Sequence, residues 1–147
     1  MINLSKFKRT NIAILTAAAF LVNSRSGITT EVKEQIKSDQ MNQVVDGQSG
    51  GSIDSQGCGF VAKLPNYEMN LDQSLDYMRL TVRADGGQPT LLVLGPKQGD
   101  SFCVLGDEIS GLKPEISGVW EPGNYQVFVG DRLGDRHKFV LDISTDN

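Results

Sequence analysis

The segment from residue 89 to residue 131 constrains the fold most, because it alternates short apolar runs with clusters of turn residues. The apolar runs are residues 90–94, 102–105, 115–120 and 125–129, and Gly, Pro, Asp, Lys and Asn fill the gaps between them. Short apolar runs that recur about every 8–12 positions between turn residues are typical of antiparallel sandwiches and barrels. The segment therefore predicts an antiparallel β architecture.

The turn between Trp120 and Tyr125 predicts where the core lies. Residues 121–124 read Glu-Pro-Gly-Asn, in which Pro fixes φ and Gly or Asn accepts a positive φ. Side chains alternate between the two faces of a strand, so Tyr125 and Val127 share one face and Phe128 lies on the other. We expect Trp120 and Tyr125 to flank a tight reversal near the centre of the core.

Four further segments supply strands around that unit. Residues 59–64 form a short run, and residues 67–71, 77–83 and 138–144 alternate apolar with polar side chains. With the four runs above they give about eight strands, the number found in jelly rolls. The predicted fold class is all-β: a two-sheet, jelly-roll-like antiparallel β-sandwich preceded by an N-terminal signal or tether segment.

The first 24 residues have the layout of a secretory signal peptide. Three cationic side chains lie within residues 1–10, and residues 11–22 form a mostly apolar run. That run is too short to cross a bilayer comfortably, which takes about 20 residues. Small side chains at Val22 and Ser24 fit cleavage after Ser24, whereas an uncleaved anchor and a cytosolic chain are the alternatives. We expect an exported protein, periplasmic or extracellular, with no transmembrane span after cleavage.

Residues 25–46 are polar and charged, and we expect them to form a flexible tether or a weak helix. Residues 30–37 offer two helical turns behind a threonine cap, but so few apolar contacts do not hold a helix in water. Residues 47–52, rich in Gly and Ser, mark a flexible entrance. The expected organisation is a signal peptide or anchor over residues 1–24, a tether over 25–46 and the sandwich over 47–147.

The net charge argues against polyanionic partners. The chain carries 14 basic and 18 acidic side chains, and no acid lies among the first 24 residues. The part after Ser24 therefore holds 11 basic and 18 acidic side chains, a net charge of −7. Because nucleic acids and anionic lipids both need a basic face, we expect neither as the main partner.

The two cysteines, Cys58 and Cys103, form an even number in a chain with an apparent signal peptide. We expect a disulfide between them, and closing a loop of that length stabilises a fold by roughly 4 kcal/mol. Two buried free thiols and a metal pair are the alternatives. A zinc site is disfavoured, because the cysteines lack CxxC spacing and the chain has one histidine.

A set of residues in the second half forms a family-like pattern. It comprises Thr90-Leu91-Leu92-Val93, Gly95-Pro96, Phe102-Cys103, Gly106-Asp107-Glu108, Leu112, Pro114, Ile116, Gly118, Pro122-Gly123, Tyr125, Val127, Val129 and Gly130. The pattern resembles bacterial pre-peptidase C-terminal (PPC) domains over about residues 47–144. The resemblance implies a β-sandwich that serves secreted proteins as a non-catalytic appendage in binding, secretion or folding. Because no enzyme accompanies the domain here, we expect an interaction in trans.

We do not expect an enzyme. Residues 47–51 read Gly-Gln-Ser-Gly-Gly, which resembles the loop around a serine-protease nucleophile, but Gln48 stands in place of the acid. A catalytic triad needs a base within reach of the serine and a carboxylate that orients the base. The one histidine, His137, lies in a basic turn with no such partner in the sequence.

Acids in the turns are candidate ligands for Ca²⁺. Asp107, Glu108 and Asp131, with Asp100, offer the hard oxygen ligands that Ca²⁺ prefers. EF-hand spacing is absent, and the acids that many PPC domains carry after the second cysteine are replaced by residues 104–106. The alternative is that these acids are solvated turn residues that keep an edge-rich protein soluble.

Candidate binding residues are Phe128, which is out of phase with the inward side chains of its strand, and Arg132, Arg136 and His137 in the turn after it. An exposed Phe near a sheet edge marks a surface for a protein or glycan, although the aromatic side chains of a sandwich also serve as core. His137 is either part of an exposed hairpin tip or a pH-sensing contact.

The predicted function is an exported, non-enzymatic β-sandwich that binds a protein partner, or assists an envelope complex, in trans. A carbohydrate- or Ca²⁺-dependent ligand-binding module is the alternative.

Overall fold

A computed structural model describes residues 34–36 and 42–146 of the chain. The predicted signal peptide and most of the predicted tether lie outside the described residues. Within these ranges there is no helix, and therefore none that is long and apolar enough to cross a membrane. The strands are β1 (Glu34–Ile36), β2 (Asn42–Gln48), β3 (Ile53–Asp54), β4 (Phe60–Val61), β5 (Tyr67–Leu71), β6 (Leu75–Ala84), β7 (Pro89–Leu94), β8 (Ser101–Leu105), β9 (Glu115–Trp120), β10 (Gly123–Asp131) and β11 (Lys138–Ser144).

The strands form two sheets, which confirms the predicted β-sandwich. Sheet A has seven strands arranged around β10, which pairs with β7 on one side and with β5 and β4 on the other. Beyond these, β8 joins β7, β3 joins β4, and β1 joins β5 in the one parallel pairing among the described strands. Sheet B has the order β2-β11-β6-β9 and is antiparallel throughout.

The main core lies between the sheets and follows the predicted alternation. In β6, Met78, Leu80 and Val82 are fully buried, whereas the side chains between them are partly exposed. Phe139, Leu141 and Ile143 of β11 are also buried. Each such side chain stabilises the fold by about 1.5–3 kcal/mol relative to leaving it in water.

The reversal between β9 and β10 brings Trp120 and Tyr125 together, as predicted. Their ring centroids lie 5.1 Å apart at an interplanar angle of 66°, an edge-to-face contact. The indole Nε1 of Trp120 donates a hydrogen bond to the carbonyl of Met78 (2.9 Å), and the hydroxyl of Tyr125 donates one to the carbonyl of Glu121 (2.9 Å). Both rings are therefore buried with their polar atoms satisfied.

A second, smaller core covers the outer face of sheet A. Leu92 and Phe128 are paired across β7 and β10 and point away from the main core. They are covered by Cys58 and Val61 of the flap, our name for residues 53–61, which comprise β3, β4 and their connection. The prediction that Phe128 is exposed is therefore wrong: 8% of its surface is accessible. The alternation placed Phe128 on the correct face, but nothing in the local pattern shows that the flap covers it.

The tether prediction is wrong for residues 42–46, which belong to strand β2. This strand pairs along all of β11, from Gln48 opposite Lys138 to Asn42 opposite Ser144. A strand at the edge of a sandwich needs few apolar residues, because the backbone ladder and one half-covered face hold it in place. Likewise Glu34–Ile36, inside the stretch read as a weak helix, pairs as a strand with β5.

Candidate partner-binding groove

The sandwich is open along one side, where β8 and β9 lie. These two strands follow each other in the chain but belong to different sheets, and residues 106–114 connect them. Among the described strands β8 pairs only with β7, and β9 pairs only with β6. Each is an edge strand, so none of the other described strands covers the gap between the sheets here.

A groove of about 210 Å³ lies at this opening. Phe102 of β8 is paired with Val93, so both side chains point toward sheet B. Val93 is fully buried, whereas Phe102 is 50% exposed. The difference arises because sheet B ends at β9 and does not cover Phe102. Ile116 and Gly118 line the groove from the opposite sheet.

The floor of the groove consists of two buried aromatic side chains. Trp120 and Tyr125, 5% and 4% exposed, line it, and their ring contact and hydrogen bonds hold both side chains in place. Gly118, which has φ of 149°, lines the groove from β9, next to a register shift between β6 and β9. With no side chain at Gly118, the groove keeps its width.

The rim of the groove is acidic. Asp100 and Glu121 line it together with one cation, Lys97. Within residues 42–146 neither carboxylate forms an ion pair. Burial raises the pKa of the Tyr125 hydroxyl, its hydrogen bond to Glu121 opposes this, and the negative charges of Asp100 and Glu121 raise it further. Both carboxylates therefore act on the buried hydroxyl, and the rim attracts cations.

Strand β8 lacks the usual protection of an edge strand. Natural sheets shield their edges with charged side chains, Pro or bulges. Ser101–Leu105 contains no charged residue and no Pro, and its pairing with β7 runs without a register shift. By contrast, β9 carries Glu115 and a register shift.

The predicted disulfide is confirmed and holds β8 from its outer side. Cys58 and Cys103 are bonded, with their Cα atoms 5.7 Å apart. On the flap side, the hydroxyl of Thr90 donates a 2.7 Å hydrogen bond to the carbonyl of Cys58. The disulfide therefore links the edge strand β8 to the flap on the face opposite the groove.

The three carboxylates predicted as Ca²⁺ ligands do not come together. No group of three or more Asp, Glu, His or Cys side chains suited to a metal ion occurs in the part of the chain that the structure describes. Asp131 is buried and accepts hydrogen bonds from the backbone N–H groups of Gln88 (2.7 Å), Leu133 (2.8 Å) and Asp135 (3.3 Å). Its oxygens thus hold two loops in place.

Asp107 and Glu108 lie in the exposed connection between β8 and β9. Oδ1 of Asp107 accepts a 2.6 Å hydrogen bond from the backbone N–H of Ser110. This bond, with a smaller contribution from the Ser110 hydroxyl, lowers the pKa of Asp107. Asp107 therefore stabilises its own turn, while Glu108 is exposed.

The predicted binding residues Arg132 and Arg136 are exposed in the loop between β10 and β11, and their role in binding stays a prediction. His137 is half-buried and is not at the tip of that loop. Its ring packs on Gly86, where an added Cβ would lie 2.6 Å from Nδ1, and Nδ1 is 3.7 Å from Oδ1 of Asp85.

Ser49, the serine of the protease-like loop, is buried and bonds to the main chain of His137. Its Oγ accepts a hydrogen bond from the N–H of His137 and donates one to the carbonyl, both at 3.2 Å. The imidazole instead faces Asp85. The hydroxyl and the ring are therefore not arranged as nucleophile and base.

No protein-family model matches the chain. An uncharacterized protein of Synechococcus elongatus is 36% identical over 107 residues, which cover 70% of this chain and 75% of that protein. The chain belongs to the family of that protein. This family therefore includes a member with the groove, flap and disulfide described above.

The fold of this family member is PPC-like. The pre-peptidase C-terminal domain of collagenase from Bacillus anthracis, known from a crystal structure, matches it with a TM-score of 0.51. The match covers 76% of this chain and 96% of that domain at 16% sequence identity. At this identity the likeness shows the fold alone, and it confirms the resemblance seen in the sequence.

Proposed function

We propose that this protein is an exported, non-catalytic binding module that holds a protein partner in the groove between β8 and β9. The observation that carries the proposal is the half-exposed Phe102, which points into an uncovered part of the interior. Protein interfaces draw most of their affinity from a few side chains, often aromatic, that fill pockets inside a polar rim.

A glycan has less support as the occupant. Sugars bind to exposed aromatic ring faces, but Trp120 and Tyr125 are nearly fully buried. Of the aromatic residues lining the groove, Phe102 alone is exposed. A protein segment with an apolar side chain fits this surface better than a flat sugar ring does.

Two features support export. The first 24 residues read as a signal peptide, and the disulfide between Cys58 and Cys103 suits an oxidising compartment. N-terminal sequencing of the protein from its native cell tests this part. The chain is expected to begin near Arg25, whereas an intact Met1 in the soluble cytosolic fraction would contradict export.

The absence of catalysis is supported by the engagement of Ser49 with backbone atoms and by the PPC-like fold, whose known domains are typically non-catalytic. A binding module also needs no convergent acid, base and nucleophile.

The binding role is tested by site-specific photo-crosslinking in the native cell. A photoreactive residue in place of Phe102 is expected to capture a discrete partner. The matched control is Ile53, which is similarly exposed (46% against 50%) but lies on the flap. Equal capture from both positions, or none from Phe102, would contradict the proposed site.

A further inference from the structure

Resting on the proposed function, we propose that the partner presents an extended segment that adds a strand to the free edge of β8. In this arrangement a cationic side chain of the segment lies against Asp100. An apolar side chain two residues away lies over Phe102 in the groove.

The backbone of β8 offers the hydrogen bonds that an added strand requires. At the two ends of the β7–β8 pair, Gly95 N–H donates to the Asp100 carbonyl and Gly106 N–H donates to the Pro89 carbonyl, both at 2.9 Å. In an antiparallel pair, hydrogen-bonded and non-hydrogen-bonded positions alternate. Counting from these two hydrogen-bonded ends, the pair of Cys103 with Leu92 falls at a non-hydrogen-bonded position. The N–H and carbonyl groups of Cys103 therefore point away from β7. They therefore face the open side.

The side-chain positions set the spacing of the recognised motif. Asp100, Phe102 and Val104 are two residues apart, so they share the face of β8 that points into the groove. The inward side chains of an added strand also recur every second residue and meet these positions in turn. A cation and an apolar residue at positions i and i+2 of the segment therefore both reach their sites.

Charge determines which segments fit. Within residues 42–146, Asp100 and Glu121 form no ion pair, and Lys97 is the one cation among these residues that lines the groove. Because β8 is itself uncharged, the rim decides between partners. It favours Lys or Arg and repels acidic segments.

A second copy of this chain is a poorer occupant. If two β8 strands paired edge to edge, each would bring the sequence Ser-Phe-Cys-Val-Leu and thus no cation for Asp100. Such a pairing would also place two acidic rims on one continuous sheet. The segment therefore comes from a different protein.

The first test selects a displayed library of short random peptides on the full-length protein, expressed with export so that the disulfide forms. We expect enrichment of peptides with Lys or Arg two residues from a large apolar residue, lost in selections on Phe102→Ala. A synthetic peptide of this type is then compared with one of identical composition in which the two residues are adjacent, because adjacent residues point to opposite faces. We expect the adjacent arrangement to weaken binding about tenfold or more.

The second test probes the backbone. Methylation of alternate amide nitrogens on the bound edge of the peptide is expected to abolish binding, whereas methylation of the other set leaves it intact. The single tryptophan of the chain, Trp120, lies in the groove and reports binding by its fluorescence. Asp100→Asn is expected to weaken binding and reduce its salt dependence, and Ile53→Ala is the control that leaves both unchanged.

The two proposals fail in different ways. If Phe102 captures a partner in cells but the library shows no i, i+2 enrichment, or both methylated peptides bind equally, strand addition is wrong and the binding role survives. If Phe102 captures nothing specific, both are wrong. If the purified protein self-associates and Phe102→Ala abolishes this, the occupant is a second copy and the inference is overturned.

Discussion

Replacing Cys58 and Cys103 together with Ala removes the bond that links the flap to β8. The bond closes a loop with a sequence separation of 45 residues. In the chain-entropy account, losing such a closure from the unfolded state destabilises the fold by about 4 kcal/mol. For a folded part of roughly 100 residues this corresponds to a fall in Tm of about 20 °C.

The loss has a local component as well. Leu92 and Phe128 are each 8% exposed only because the flap covers them. Without the bond, the flap is held by the short β3 and β4 pairings and by the Thr90 hydrogen bond. We therefore expect it to open more often than the main core, exposing an apolar patch on sheet A.

The assay is urea unfolding, with fluorescence of Trp120 for the main core and binding of a hydrophobic dye for the outer patch. Reduced wild-type protein is the control and is expected to match the double variant. The slope of the free energy against urea is expected to rise slightly, because the unfolded chain without the crosslink is more open. If the free energy of unfolding falls by less than about 1 kcal/mol and dye binding does not increase, both the loop-closure magnitude and the role of the flap are refuted.

Three further outcomes are expected. Asp131→Ala leaves three backbone N–H groups without their acceptor and is expected to lower the free energy of unfolding in urea by about 3 kcal/mol, with Asp131→Asn intermediate. A change near zero would contradict the structural role of Asp131. The folded pKa of Tyr125 is raised above its unfolded value of about 10, so the stability that Tyr125 contributes is intact below about pH 10 and is lost as the pH rises through the folded pKa. Tyr125→Phe is therefore expected to flatten the alkaline decline in the free energy of unfolding. Leu80→Ala, at a fully buried site, is expected to cost about 2–5 kcal/mol, and thermal unfolding unchanged by it would contradict the core assignment.

Most of the main core was predictable because it depends on local alternation. Met78, Leu80 and Val82 have period two and lie inward in the structure. The Trp120–Tyr125 reversal was equally local, since turn chemistry and two flanking aromatics define it. Periodicity reports which face a side chain takes, and for these strands the face is sufficient.

What lies over a face is set by distant residues and was not predictable. Phe128 and Phe102 have similar sequence surroundings, yet the flap covers the first and nothing in residues 42–146 covers the second. Strand β2 was missed for a related reason: with Val45 as its main inward contact, it is held by pairing with β11. Strand order, and with it the identity of β8 as an edge, depends on pairings between residues far apart in sequence.

Part of sheet A is covered on both faces, by sheet B and by the flap, and this limits which residues can change in this family. In β7 the first five residues are buried, and in β10 the last five, from Val127 to Asp131, are buried. A saturation mutagenesis profile of β6 or β11 is therefore expected to show tolerance at every second position, whereas these parts of β7 and β10 resist polar replacement at consecutive positions. Related proteins that lack the flap are expected to regain the alternating profile there, because Leu92 and Phe128 would then face water.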